Sequence, residues 1–356
     1  MEEDVSVSDA AATPAITVGL DYFNEILNIT ALAAHPNLPV LFAGKSNGCV
    51  AAYDSMTGKE TALLYSHPKD VFITTIASCK NNIVATADAG GTVQVWELEK
   101  STKGCWSTRS QILATSPKQS IKQLVFSQEG QHLLVSAASS AAVWSTRTGD
   151  LVWSSEFVPG ERTVWKWLST PGPESELLLI VDNKIERHSW SSFPTATSPL
   201  SFLLSYEETL KSYQIEIQNV FLDANSQHLI VDFRKYGNNA TTKLLVFDYS
   251  SSPASSNGLQ PNADYFPLGE NVKYFIGVIR SRLAFIDKDS WLSSVDLVSH
   301  SGKEYIRHFY VPHEVVNGNT GVLSVLTAAG DIAFAREGEV AVMRNGMKFH
   351  AVIEIT

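Results

Sequence analysis

The sequence predicts an all-β fold, a β-propeller of seven four-stranded antiparallel blades. Aromatic residues recur at a spacing close to the period of roughly 40–45 residues that is typical of propeller repeats. Each of them follows short runs of strand-forming residues that are separated by turn residues, and long amphipathic helical runs are nearly absent. The aromatic anchors of the seven units are Tyr53, Trp96, Trp144, Trp190, Phe247, Phe285 and Phe334.

The second unit shows the elements of one blade most clearly. Two predicted strands, residues 72–78 and 83–86, are separated by Lys80-Asn81-Asn82, and asparagine accepts the left-handed backbone of a tight hairpin. Residues 88–97 then add a turn and an alternating third strand that ends in a tryptophan and an acid. In the first unit a further turn, Thr57-Gly58-Lys59, precedes a fourth strand. Such a unit is too small to bury both faces of its sheet, so the blades must stack on one another.

The repeat assigns residues 15–349 to a single propeller, preceded by an acidic tail, residues 1–14, which we expect to be disordered. Seven blades fit the spacing best; eight would require a hidden unit formed by residues 15–23 and the tail, and six would follow if the last unit is not a blade. Residues 16–23 would supply the outer strand of the last blade and close the ring, or form a peripheral strand or an ordered tail. The predicted blades are residues 29–66, 71–116, 120–160, 163–205, 215–268, 270–300 and 304–349.

Composition narrows the partners that we expect for this chain. The formal net charge is −10 and the pI is near 5.4, whereas binding to a nucleic-acid backbone requires a basic surface. No cluster of Lys or Arg stands out along the sequence. The acidic charge is interpreted either as a solvated surface that keeps the protein soluble or as a surface that favours basic partners. We therefore expect no nucleic-acid partner.

Cysteine usage and the start of the sequence bear on location. The three cysteines, Cys49, Cys79 and Cys105, form no C-x-x-C pair, which favours buried, reduced thiols in a reducing compartment. The acidic start lacks the basic and apolar regions of a secretory signal peptide. No apolar run approaches the roughly 18 residues of a membrane helix. We therefore expect a cytoplasmic protein that does not bind membranes.

Motifs for catalysis and small-molecule binding are weak. Gly44-Lys45-Ser46 resembles the end of a phosphate-binding loop, but Pro39 stands where that loop requires glycine, and the segment precedes a strand rather than a helix. The run Trp165-Lys166-Trp167 places two rings on one face, either to bind a ligand or, as we favour, as the buried rings of an innermost strand. We predict no catalytic residue and no cofactor-binding residue, and therefore a chain that is not an enzyme.

Two clusters contain the residue types of a metal site. His308, His313 and Glu314 offer two imidazoles and a carboxylate, but residues five apart on a strand point to opposite faces. Asp287 and Asp289 lack the glycine and the distal glutamate of a calcium loop and are typical of a turn between strands. We therefore predict no metal site and no cofactor.

Resemblance to known families rests on two sets of motifs. The first three units resemble ordinary WD repeats in the runs that end them, residues 47–54, 91–97 and 140–145. Residues 270–349 resemble the C-terminal propeller of fungal NACHT–WD proteins in the runs FIGVIRSRLAFID, IRHFYVPH and GDIAF. The resemblance implies a propeller of the WD-repeat type.

NACHT–WD proteins are large signalling ATPases of the NOD-like receptor type. The resemblance therefore implies a propeller that senses a ligand or partner and is coupled to a nucleotide-driven oligomerisation switch. This chain contains neither the nucleotide-binding loop nor the helical ATPase module, so ATPase activity is not implied for it, and no binding residue is carried over. It fits a fragment, a stand-alone remnant or an isolated gene product that kept only the sensor.

The repeat and the missing catalytic set favour a protein–protein interaction scaffold or ligand-sensing propeller that binds protein partners on one rim. The alternative is a small-molecule binder or enzyme that uses the central channel. Such a site would need carboxylates, His or Arg at the inner strand ends, whereas the predicted inner strands 29–34 and 322–327 are apolar or small. A third hypothesis is a structural subunit of a larger assembly, because fold alone does not fix function.

Overall fold

In a computed structural model the chain forms seven antiparallel sheets, which are the blades of a β-propeller. This confirms the predicted all-β fold and the count of seven blades. The structure describes residues 28–68, 71–102, 105–115, 119–156, 165–171, 176–181, 184–190, 200–201, 215–223, 225, 227–235, 241–249, 259, 261–298, 305–312, 323–336 and 338–344. The predicted tail, residues 1–14, and the predicted closing segment, residues 16–23, lie outside these residues.

Each blade is a meander in which strands adjacent in sequence are hydrogen-bonded neighbours. Blades 1 to 3 comprise β1 (Ile29–Ala34), β2 (Val40–Lys45), β3 (Cys49–Asp54), β4 (Glu60–Ser66), β5 (Ile73–Cys79), β6 (Ile83–Asp88), β7 (Val93–Lys100), β8 (Trp106–Thr115), β9 (Ile121–Phe126), β10 (His132–Ala137), β11 (Ser140–Ser145) and β12 (Leu151–Glu156). Blades 4 and 5 comprise β13 (Trp165–Ser169), β14 (Glu176–Val181), β15 (Lys184–Ser189), β16 (Leu200–Ser201), β17 (Ile215–Leu222), β18 (His228–Lys235) and β19 (Thr241–Asp248). Blades 6 and 7 comprise β20 (Val272–Ile279), β21 (Arg282–Asp287), β22 (Trp291–Asp296), β23 (Ile306–Tyr310), β24 (Leu323–Leu326), β25 (Ile332–Arg336) and β26 (Glu339–Met343).

The hydrophobic core lies between the blades rather than within any one of them. Seven clusters of buried side chains fill the seven joints between neighbouring blades. The cluster that closes the ring packs Leu41 and Tyr53 of blade 1 with Ala333 and Val340 of blade 7. Each blade therefore depends on both neighbours for the burial of its two faces, as expected for a stacked repeat.

A glycine allows the backbone of blade 1 to approach the backbone of blade 7 closely at the joint between them. Gly58, in the turn between β3 and β4, has a φ of +71°, and a Cβ at this position would overlap the Val340 carbonyl oxygen. We expect Gly58→Ala to lower the free energy of unfolding by at least about 1–2 kcal/mol, the cost of a left-handed backbone for a residue with a Cβ. Urea denaturation would measure the loss.

Gly277→Ala serves as the control for this substitution, because a Cβ there would meet nothing closer than Leu326 at 3.6 Å. That variant should unfold at nearly the same urea concentration as the original chain. Equal midpoints for Gly58→Ala and the original chain would show that the two blades do not approach each other at this turn.

Blades 5 and 7 differ from the predicted four-stranded pattern, since each has three strands among the described residues. Beside β19, the place of a fourth strand is taken by a 3-10 helix, Ala263–Tyr265, and by α1, Phe266–Asn271. The Asn262 amide donates to the Val246 carbonyl at 2.8 Å, and Pro261 forms a single bridge to Phe247. Proline lacks the N–H that a strand needs for its ladder, so a regular strand does not continue from it.

Two further differences concern the last two blades. The predicted seventh blade, residues 304–349, began with the segment that forms β23. In the structure β23 pairs with β22 and is the fourth strand of blade 6. The anchors Phe285 and Phe334 lie on β21 and β25, the second strands of their blades, whereas Tyr53 and Trp96 lie on third strands. Aromatic spacing alone does not distinguish the two strands, because both face the same interblade joint.

The meander gives the disc two rims, which we call rim A and rim B. Rim A carries the turns from first to second and from third to fourth strands, such as residues 35–39 and 55–59. Rim B carries the turns from second to third strands, such as residues 89–92, and the links between blades. The first strands β1, β5, β9, β13, β17, β20 and β24 line the central channel, and each of them begins at rim B.

Candidate functional site

Two buried carboxylates occupy equivalent positions at rim B. Asp88 ends β6 and Asp287 ends β21, and each is 1% exposed. Oδ1 of Asp88 accepts from the Thr92 amide at 2.8 Å, and Oδ1 of Asp287 accepts from the amides of Asp289 and Trp291 at 2.9 Å. Both side chains therefore hold the turn that leads into the third strand of their blade.

The second oxygen of Asp88 belongs to a network that joins blades 1 and 2. Oδ2 lies 2.9 Å from Nδ1 of His67, and Nε2 of the same ring lies 2.8 Å from the Thr86 hydroxyl. Burial lowers the pKa of His67, although hydrogen bonding to Asp88 opposes the shift. The ring is therefore neutral near pH 7, with Nδ1–H donating to the carboxylate and Nε2 accepting from Thr86. The Tyr65 hydroxyl lies 3.1 Å from Thr86 and extends the network.

The order hydroxyl, imidazole, carboxylate is that of an activated nucleophile with its base and orienting acid. Its burial argues against that chemistry here. The side chains of His67 and Asp88 are 0% and 1% exposed, and Thr86 is 0% exposed. A substrate carbonyl has no access to such a hydroxyl, so the network stabilises the blade joint, as buried and fully paired polar groups do.

The equivalent site in blade 6 uses an arginine instead of a histidine. Nε of Arg307, on β23, donates to Oδ2 of Asp287 at 2.7 Å, and its Nη2 donates to Asp289 at 2.5 Å. These two acids are the pair whose spacing had suggested a calcium loop. Their oxygens are instead directed to backbone amides and to a guanidinium group, so the interpretation as a turn holds.

The other metal candidate, His308 with His313 and Glu314, is only partly described by the structure. Nε2 of His308 lies 2.8 Å from the Ser294 hydroxyl within blade 6, and burial lowers its pKa. His313 and Glu314 lie outside the described residues. In the part of the chain that the structure describes, no group of three or more His, Cys, Asp or Glu is placed to hold a metal ion.

The remaining sequence candidates have structural roles. Lys45 pairs with Glu60 at 2.6 Å, and Gly44 packs tightly against Ile73, so neither is arranged as part of a phosphate-binding loop. Trp167 is 1% exposed on the innermost strand of blade 4, as the buried-ring interpretation predicted for this ring, whereas the Trp165 side chain lies outside the described residues. Its backbone amide and carbonyl bond to the side chain of Gln123 at 2.9 and 2.6 Å, which ties blade 4 to blade 3.

Five buried or half-buried histidines make the fold sensitive to acid. Burial is the largest cause that lowers the pKa of each of them, namely His35, His67, His132, His188 and His308. Their folded pKa values lie below the unfolded value of 6.5, so the unfolded chain takes up protons first as the pH falls. The stability they contribute is present above pH 6.5 and is lost as the pH falls towards their folded pKa values.

We therefore expect the urea concentration at the unfolding midpoint to decrease as the pH is lowered from about 7.5 to about 5.5. His132 offers a matched variant, because its ring stacks on Trp190 with centroids 6.1 Å apart. His132→Phe keeps an aromatic ring at this joint without the charge and should reduce the pH dependence. A midpoint that is constant or rises on acidification would contradict the expectation.

The innermost strands share a feature that sequence reasoning missed. In β1, β5, β9 and β20 the pairing with the second strand shifts by one residue directly after the first residue, and in β17 it shifts after the third residue. Such β-bulges change the direction of a side chain. The residues at the shift are Thr30, Thr74, Lys122, Gln218 and Lys273.

Three lysines therefore occupy one level of the ring, near the rim B mouth of the channel. Lys122 and Lys273 lie at two of these bulges, and Lys166 is the second residue of β13, opposite Ile180 near the end of β14. Lys122 is exposed and the other two are half-buried. Along the sequence they are far apart, which is why no basic cluster stood out. Each lysine is the second residue of its strand, a pattern that becomes visible only once the observed bounds of β9, β13 and β20 are known.

No protein-family model matches the chain, and a search of curated proteins gives no match. Among the described residues, no helix has the length and apolar character needed to cross a membrane.

Proposed function

We propose that this chain is a non-catalytic protein-interaction module, a rigid propeller of the WD-repeat type that presents one rim to a protein partner. The observation that carries this proposal is the use of the buried polar groups. Asp88, His67 and Thr86, together with Asp287, are bonded to one another, to Arg307 or to backbone amides. Among the described residues, these groups hold turns and joints and none of them is presented at a surface as an activated nucleophile, which favours binding over catalysis.

The resemblance of residues 270–349 to the propeller of fungal NACHT–WD proteins supports a finer proposal. The chain would sense a partner or ligand on behalf of a signalling assembly. A cytoplasmic location fits the cysteines, since Cys49, Cys79 and Cys105 are all free and reduced thiols are typical of that compartment.

Affinity capture followed by reconstitution tests the interaction function. The purified chain, immobilised at neutral pH, is exposed to a lysate, and proteins enriched over a bead control are identified by mass spectrometry. Each one is then purified and titrated against the chain. Saturable binding of one protein to one site supports the proposal. If no enriched protein binds saturably once purified, while a small molecule protects the chain against thermal unfolding, the interaction function is refuted in favour of the channel-ligand alternative.

A further inference from the structure

The two rim A turns of blade 1 carry exposed apolar side chains next to each other. Leu38 and Met56 are 36% and 44% exposed, and Pro36 and Pro39 of the first turn are exposed as well. The Ser55 amide donates to the Pro39 carbonyl at 3.2 Å, so the two turns lie side by side. The structure describes blade 1 without a gap from residue 28 to residue 68.

Both turns are held in place by side chains of the same blade. Nδ1 of His35, which is 2% exposed, accepts from the Leu38 amide at 3.1 Å. Oδ1 of Asp54 accepts from the amides of Met56 and Thr57 at 2.9 and 2.8 Å. The apolar side chains therefore belong to ordered turns, which reduces the conformational entropy that is lost when a partner binds.

Two exposed cations lie beside these turns. Lys59 belongs to the same turn as Met56, and Arg344 directly follows the last described strand of blade 7 at rim A. The two blades meet here, since a Cβ on Gly58 would lie 3.5 Å from the Val342 side chain. Within the described ranges neither Lys59 nor Arg344 has an ion pair or a ring contact, so both charges are available to a partner.

The acids of the same turns leave this positive charge exposed. Glu60 accepts from Lys45 at 2.6 Å and from the Tyr53 hydroxyl at 3.0 Å. Asp54 is half-buried and bonded to its own turn, and Asp331, in the rim A turn of blade 7, is 5% exposed. The surface is therefore apolar and locally basic in a chain whose net charge is −10.

We propose that Leu38, Met56, Lys59 and Arg344, which we call the rim A patch, bind an acidic, aliphatic segment of the partner protein. Aliphatic side chains of the segment pack on Leu38 and Met56, and its carboxylates pair with the two cations, because complementary charge fixes the position of an apolar contact. This inference rests on the proposed interaction function and names the surface and the chemistry of the partner.

A protein segment fits the rim A patch better than an anionic membrane or a nucleic acid does. Two cations give few contacts to a long polyanion or to a lipid surface. The rest of the disc belongs to a chain with a net charge of −10 and a pI near 5.4, which repels both. A short segment places its carboxylates at the cations and covers the apolar side chains without extending over the acidic surface.

Fluorescence polarisation with a labelled peptide of alternating Leu and Glu tests the proposal. We expect the full-length chain to bind this probe, with an affinity that falls but does not vanish as salt rises from about 50 mM to about 500 mM, because salt screens only the ionic contacts. The variants Leu38→Ser/Met56→Ser and Lys59→Glu/Arg344→Glu should each bind at least about fivefold more weakly. Probes with Ser in place of Leu, or Gln in place of Glu, should also bind more weakly.

Matched changes elsewhere on the disc serve as controls. Leu151→Ser/Val152→Ser removes side chains that are 48% and 42% exposed on β12, and Arg147→Glu/Lys288→Glu reverses two other exposed cations. Both variants should bind the probe within about twofold of the original chain. All four variants should unfold at nearly the same urea concentration, because the changed side chains are exposed. Equal losses in patch and control variants would overturn the proposal, as would failure of the original chain to bind the probe.

The same variants distinguish this inference from the interaction function on which it rests. If the partner identified by capture binds both patch variants as tightly as the original chain, the rim A patch is refuted while the interaction function stands. If vesicles containing phosphatidylserine, or a second copy of the chain, bind the patch more tightly than the peptide does, the assignment to an acidic segment is overturned. Loss of the captured partner with both patch variants but with neither control supports both.

Discussion

Replacing Phe247 by alanine should lower the free energy of unfolding by about 3–5 kcal/mol, the range for a large buried aromatic side chain. Phe247 is 0% exposed and lies on the third strand of blade 5. It packs with Leu178 and Ile180 of blade 4 and Leu229 of its own blade. Truncation would leave a cavity between two blades that is lined by rigid strands, so collapse around it is limited. Urea denaturation followed by circular dichroism measures the loss.

Trp96→Ala is the informative comparison, because Trp96 is the equivalent anchor of blade 2 and is only partly buried. Its ring stacks on Tyr65 at 5.2 Å, and its Nε1 donates to the Gln94 side chain at 2.9 Å. We expect a smaller loss of stability, below about 3 kcal/mol. If Phe247→Ala destabilises less than Trp96→Ala, burial at the interblade joint does not determine the cost of losing an anchor.

These two anchors also show how far the sequence predicts the fold. A period of aromatic residues identifies a stacked repeat because each blade needs one large side chain in the joint with its neighbour, and both Trp96 and Phe247 serve this purpose on third strands. The period does not identify the strand, since Phe285 and Phe334 fill the same kind of joint from second strands. Strand assignment in the last two blades needed the pairing partners, which depend on contacts distant in sequence.

The edges of the blades were the least predictable part of the fold. An outer strand packs on one neighbour and carries a weak hydrophobic pattern, as the exposed Ile306 of β23 shows. This is why β23 was assigned to the wrong blade. Among the described residues beside β19, Tyr265 and Leu268 of the short helices provide the burial that a fourth strand would otherwise supply.

The candidate site was hidden from the sequence for a different reason. Lys122, Lys166 and Lys273 are each ordinary in their local context, and only the closure of seven units into a ring places them at one level. By contrast, the structural roles of Asp287 and Asp289 followed from local rules, because a turn between strands needs an acceptor for its amides. The role of a residue in its own turn can therefore be predicted from the neighbouring sequence. Which residues of different blades lie at the same level of the ring can be predicted only once the strand register within each blade is known.

Replacing Asp88 by alanine should lower the free energy of unfolding by about 2–6 kcal/mol, because it leaves one buried and one half-buried donor without an acceptor at about 1–3 kcal/mol each. The donors are the Thr92 amide and Nδ1–H of His67. Asp88→Asn should cost less, since an amide oxygen can still accept from Thr92 while its nitrogen donates to the ring after a change of tautomer. Denaturation of the two variants in parallel measures the difference.

Asp54→Ala is the matched control at rim A. Asp54, like Asp88, accepts from two donors; both are turn amides, those of Met56 and Thr57 at 2.9 and 2.8 Å, in an exposed turn where water replaces the lost acceptor. Its removal should cost only about 0.5–1.5 kcal/mol. Equal costs at positions 54 and 88 would mean that the buried network with His67 contributes no more than a surface turn. In that case Asp88 and Asp287 could not be regarded as the groups that hold the blades together.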